Sequence, residues 1–132
     1  MKEIKLNDIV FAKHITAEDW EAGLKFYSAD DDFIQVGSWN YDKGKELLAH
    51  THNTVERIVQ RTQEVLYIRK GRIKADIYDF EDKKIAEFEA AEGDVVVLLW
   101  GGHGYSVLED NTQVLEVKTG PYVGAELDRR RI

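Results

Sequence analysis

Three histidines and one glutamate stand at spacings that could hold a metal ion: His50-Thr51-His52, then Glu64, then His103 after a glycine-bounded apolar run. Imidazole nitrogen and carboxylate oxygen are ligands for divalent transition metals. Such a set suits Fe, Mn, Ni, Co or Zn better than the oxygen-rich cages of calcium and magnesium. It also leaves coordination positions open, where water or a substrate oxygen can bind and be polarised. Side chains two apart on a strand share a face, so a strand through His50 and His52 would aim both rings at one ion. The plain alternative is a pair of solvated histidines beside a turn. Gln63 precedes Glu64, so parity alone leaves open which of the two points inward. His103, flanked by Gly102 and Gly104, could simply occupy a tight loop; without it, two histidines and a carboxylate still make a non-haem iron type set.

Further residues could meet a ligand. Arg57 and Arg61 are four apart, hence on one face of a strand, where they could clamp a carboxylate or phosphate; solvated charges paired with acids are the alternative. Tyr67, Tyr78, Tyr105, Trp39 and Trp100 could stack on a sugar or aromatic ring, or belong to core and interface. Glu116 and Lys118 share a face of the last strand and could look inward or into solvent. His14 lies outside every such pattern and reads as an ordinary half-buried or surface histidine.

The elements that must position these residues read as strands. From about residue 31 onward, short apolar or alternating segments are separated by turn residues: 33–36, 55–59, 65–68, 73–78, 95–99 and 113–117. That rhythm predicts an all-β sandwich or barrel. Residues 72–78 alternate apolar and polar as a strand with one wet face does. Val95-Val96-Val97-Leu98-Leu99 is apolar on both faces and reads as a buried strand bounded by Gly93-Asp94 and Gly101-Gly102. Residues 16–27 read as a short helix capped by Thr16 with Asp19 three positions on, interrupted by Gly23.

With 132 residues, one proline and no internal repeat, the chain predicts a single domain over 1–132. The formal charge of -7 and a pI near 5.1 argue against binding a nucleic-acid backbone. The Arg129-Arg130-Arg131 run is too short to reverse that and reads as a solvated tail. Without cysteine, any metal must be held by nitrogen and oxygen. No stretch approaches the roughly 18 apolar residues that span a membrane, and the N-terminus lacks the apolar core of an export signal, so a cytoplasmic protein is expected.

These motifs resemble those of the cupin superfamily of small β-barrels. Gly44, His50-Thr51-His52 and Glu64-Val-Leu-Tyr-Ile-Arg-Lys-Gly71 match the first cupin motif, with Glu64 rather than Gln63 at the glutamate position. Eleven residues separate His52 from Glu64 where the family has three or four, so residues 53–63 read as an inserted strand extension or hairpin. In the second motif Gly93 and Gly101 fall in place, Leu99 replaces the proline, His103 comes one residue early and Val107 replaces the asparagine. Trp39-Asn-Tyr-x-x-Gly44, Arg61-Thr-Gln-Glu64, Gly101-Gly-His-Gly104 and Lys118-Thr-Gly-Pro-Tyr122 look like uncharacterised cupins found near polysaccharide and nucleotide-sugar genes.

The resemblance implies a double-stranded β-helix, or jelly-roll barrel, over about residues 31–120. It implies His50, His52, Glu64 and His103 as ligands of a divalent transition metal, and pairing of edge strands into a homodimer. Arg57, Arg61, Tyr67, Tyr105 and Lys118 are the candidates for holding a small polar or anionic ligand. The function expected is metal-dependent isomerase or epimerase chemistry on a small polar metabolite such as a sugar derivative. An Fe(II)-dependent dioxygenase and a non-catalytic saccharide-binding cupin are the alternatives.

Overall fold

Alternating apolar residues and well-placed turns give the chain ten strands. The computed structural model describes residues 1–132. Its strands are β1 (Lys2–Leu6), β2 (Ile9–Ile15), β3 (Gly23–Phe26), β4 (Gly37–Asn40), β5 (Glu64–Lys70), β6 (Arg72–Tyr78), β7 (Lys84–Ala91), β8 (Val95–Leu98), β9 (Gly102–Val107) and β10 (Gln113–Lys118); one helical turn, α1 (Ala125–Asp128), follows. The fold is all-β and every pairing is antiparallel. Five strands lie in the order β1-β2-β8-β5-β10, three in the order β7-β6-β9, and β3 pairs with β4.

The two larger sheets pack face to face. Between them lie Ile4, Phe11, Ala12, Leu66, Ile68, Val96 and Leu98 from the first, and Ile73, Ile77 and Ala90 from the second. The outer face of the five-stranded sheet is apolar too, because β8 is apolar on both sides. There Ile15, Val97 and Leu99 pack under Tyr27, with Ile34, Val36 and Val65 at their margin. Lys13 fastens this cover by donating to the Tyr27 carbonyl at 2.6 Å.

Four expected strands appear near their expected places: β5, β6, β8 and β10. The remainder departs in instructive ways. The expected strand 55–59 lies in an irregular segment running from about 41 to 63, exposed up to residue 60, so the inserted strand or hairpin over 53–63 does not form. Val55, Ile58 and Val59 do not alternate and present no single apolar face to a sheet. Residues 33–36 run irregularly ahead of β4, and the helix over 16–27 shrinks to a 3₁₀ turn, Ala17–Asp19, followed by β3. Gly23 takes φ +88°, outside any right-handed helix. The cap itself forms: the Asp19 carboxylate accepts from the Thr16 N–H at 2.8 Å and from its hydroxyl at 2.9 Å. The main sheet also begins at Lys2 rather than near residue 31, since β2 is the neighbour that covers one edge of β8. No helix is long and apolar enough to cross a membrane.

Two glycines are obligatory. Gly71 turns β5 into β6 at φ +81°, against Thr112. Gly101 follows β8 at φ +68°, where a Cβ would collide with the Tyr78 carbonyl and the Phe11 ring. Ile77, fully buried between the sheets, should lose about 2–5 kcal/mol of stability on truncation to alanine, read as a lower urea midpoint at unchanged slope. A loss below about 1 kcal/mol would mean the two sheets do not share this core.

Candidate active site

Strand register decides which side chains meet. Residues directly opposite one another in an antiparallel pair project to the same face. Glu64 has the parity of Leu66 and Ile68, which are buried between the sheets, and it stands opposite Leu98 on one side and Lys118 on the other. On the second sheet, His103 lies opposite Ile77 and Tyr105 opposite Ala75, both fully buried. The edge strands β9 and β10 therefore turn His103 and Tyr105, and Glu116 and Lys118, toward the same interior that Glu64 enters from β5.

The contacts bear out that register. The Glu64 side chain is 11% exposed, with its Oε2 3.2 Å from His103 Nε2 and its Oε1 3.3 Å from Lys118 Nζ. Lys118 reaches Glu116 Oε1 at 2.8 Å as well. The Tyr105 ring lies 5.4 Å from the His103 ring, centroid to centroid. His103 and then Lys118 hold the Glu64 carboxyl below the usual carboxylate range, against the opposing push of burial. Glu116, with Glu64 behind it, raises Lys118. Surrounding protein, helped by the charges of Glu64 and Glu116, pushes the Tyr105 hydroxyl well above the usual phenol range. Beside Lys118 a depression of about 240 Å³ is lined by Thr119, Gly120, Pro121, Tyr122 and Asp128. The arrangement joins a fixed carboxylate, an imidazole, a cation and a neutral phenol, which are the parts of proton-transfer chemistry.

The structure thus brings together Glu64, His103, Tyr105 and Lys118 of the residues expected from sequence. It does not bring His50 and His52 to them. Both sit in the exposed part of the 41–63 segment, their rings 5.1 Å apart, with His50 Nδ1 3.2 Å from the Leu48 carbonyl. Glu64 and His103 would fit half of a nitrogen and oxygen donor set, but no three His, Asp or Glu side chains converge as an ion requires. The four-residue metal set is not assembled in this arrangement.

Gln63 and Glu64 are both buried, on opposite faces. Gln63 Oε1 accepts the Ile34 N–H at 2.9 Å, fastening the cover of the outer face. Tyr67 lies on that outer parity as well, opposite Leu115 and away from the site. Arg57 is exposed. Arg61 instead packs on Trp100 and Phe33. His14 is half-buried, 2.8 Å from Asp94 and stacked on Phe88.

No family model, curated protein or solved structure matches this chain.

Sequence reasoning missed β9 as an element, because its two glycines hide a strand whose alternate residues are His103, Tyr105 and Val107. The arginine run is exposed, as a solvated tail would be, but Arg130 also makes a bidentate surface pair with Asp82 at 2.7 and 2.8 Å. Thr62 donates to Asp128 at 2.5 Å, tying the C-terminal segment to this end of the molecule. These partners are far apart in sequence and carry no local signal.

The depressed Glu64 pKa has a pH consequence. Its ionised form contributes stability that is complete above the ordinary value of 4.5 and is lost as pH falls through the lower folded-state value. Urea midpoints measured below that pH should fall less steeply for Glu64→Gln than for wild type. Identical slopes would show that Glu64 is not held by His103 and Lys118.

Proposed function

We propose that this chain is a cupin-type jelly roll that moves protons on a small polar metabolite such as a sugar derivative, as an isomerase or epimerase. The observation that carries this reading is the buried Glu64 carboxylate 3.2 Å from His103, with Lys118 behind it and Tyr105 alongside. A carboxylate on one imidazole nitrogen fixes the tautomer and leaves the other nitrogen as a base. In this reading His103 takes the proton from the carbon next to a carbonyl. The C–H electron pair forms the carbon–carbon double bond, the carbonyl π pair moves onto its oxygen, and Tyr105 donates a hydrogen bond to that developing enolate oxygen. Return of the proton to the former carbonyl carbon, while the proton of the adjacent hydroxyl passes to the enolate oxygen, gives an isomer; return to the opposite face of the original carbon gives an epimer. Lys118 keeps Glu64 ionised throughout.

Such chemistry exchanges a carbon-bound proton with solvent. Wild-type protein incubated in D₂O with a panel of ketoses, aldoses and their acids should place deuterium next to the carbonyl of at least one, seen by proton NMR. His103→Gln should slow that exchange by about 10²–10⁴-fold. A panel left wholly unlabelled, or one labelled equally by the variant, would overturn the reading.

A metal-dependent form of the same chemistry is favoured by the adjacent His50 and His52 rings, on a segment whose end lies only a few residues before Glu64. When bound, the ion would supply polarisation of the substrate carbonyl. This form requires the exposed stretch that carries His50 and His52, ahead of the anchored Arg61, to close over Glu64. Protein purified without tag or chelator should then carry near-stoichiometric metal by plasma mass spectrometry, lost in His50→Ala/His52→Ala; active protein free of metal excludes it.

A further inference from the structure

Arg61 is held unlike any other cation in the chain. Its guanidinium carbon lies 3.3 Å from the centroid of the Trp100 ring and 4.5 Å from that of Phe33. Its Nε donates to the Leu99 carbonyl at 3.1 Å. The carbonyl and the two rings fix the plane and direction of a side chain that is otherwise among the most mobile. The terminal nitrogens, however, have no protein partner, and no carboxylate lies within ion-pair distance. The other half-buried arginine, Arg72, by contrast bridges Glu89 and Glu109. Asp31 and Asp32 are near enough to be felt, yet the Asp32 carboxylate is engaged with the Ala29 N–H at 2.9 Å.

A guanidinium already held in one plane, with its terminal nitrogens free of a fixed protein partner, takes an oxyanion at little further ordering cost. With Nε engaged, the edge left open is the end-on fork of the two terminal nitrogens, whose geometry matches two oxygens of one carboxylate or phosphate. Arg61 also stands at the end of the molecule where the site lies. Leu99, its carbonyl partner, follows Leu98, which pairs with Glu64, and Trp100 leads into the turn that delivers His103. Trp100 packs edge-on against Phe80, and both rings are exposed at the surface.

We propose that Arg61 is an oxyanion-binding residue, gripping end-on the carboxylate or phosphate of a small anionic ligand. This deepens the functional reading by naming the ligand class, and it rests on that reading only in treating this end of the molecule as ligand-binding. Arg57 has no such role, since it is exposed and makes only one long contact, 3.4 Å, to the Val55 carbonyl.

The test is an NMR titration of the full chain with inorganic phosphate and, separately, with acetate. The Arg61 Nε–H, protected by its bond to Leu99, and the Trp100 indole N–H are the reporters. Saturable shifts confined to these two resonances are expected with at least one anion, and the tighter of the two identifies phosphate or carboxylate as the natural group. Arg61→Lys keeps the charge but not the fork, and should weaken binding about tenfold. Arg57→Gln should bind as wild type, whereas Arg61→Gln, with the same change in net charge, should not. Absence of saturable shifts with both anions, or equal binding by the two glutamine variants, would overturn the proposal. Should the Arg61 variants fail to fold, the wild-type titration decides alone. Anion binding at Arg61 without any deuterium exchange would sink the proton-transfer reading and leave this one standing.

Discussion

A strand that is apolar on both faces must be covered on both, and β8 imposes that demand on the rest of the chain. Val96 and Leu98 turn toward the three-stranded sheet, while Val97, with Leu99 just beyond the strand, turns the other way, under Tyr27. The hydrophobic effect is non-directional, so it cannot by itself say which segment covers which face. Hydrogen bonding supplies the choice: β2 and β5 pair with β8 on either side, and the Phe11 carbonyl takes the N–H groups of both Leu99 and Trp100 as the strand ends. Lys13 and Gln63 then bond the covering segment in place through the Tyr27 carbonyl and the Ile34 N–H.

The site is a by-product of that arrangement at one end. Glu64 takes the parity of the core but sits where the core runs out, so its carboxylate is buried without being sealed from polar partners. A buried carboxylate is tolerated only when paired. His103 and Lys118 arrive from the two edge strands to do so. Edge strands have one side without a neighbour, and polar residues there are common because an apolar edge invites aggregation. Here the inner faces of both edges carry the polar groups, so a structural need and a chemical opportunity fall on the same residues. Glu116 and Tyr105 extend the cluster along β10 and β9, mixing charge with a phenol kept neutral by its surroundings.

Arg61 shows the same logic on the other side of the rim. Trp100 and Phe33 leave a guanidinium oriented, with its terminal nitrogens free of a fixed protein partner. The irregular stretch between β4 and Arg61 carries His50 and His52 with several exposed aliphatic residues. Long segments without regular structure in small domains are commonly binding loops or lids.

By itself, the sequence determined the class of fold and the strands whose alternation is clean: β5, β6, β8 and β10, with Gly71 and Gly101 at the turns. The motif resemblance singles out Glu64 and His103, since parity alone leaves Gln63 and Glu64 undivided. Local spacing failed for residues 55–59, whose apolar positions lack a period of two, and for β9, whose glycines mask one. Only the tertiary structure decided that Glu64 faces His103 and Lys118 while Tyr67 faces away, that His50 and His52 stand apart from them, and that Arg61 rather than Arg57 is fixed against aromatic rings. The physical reason is the same each time. Those relations depend on register between strands far apart in the chain and on which face of β8 each segment covers, and no short-range pattern of residue types encodes either.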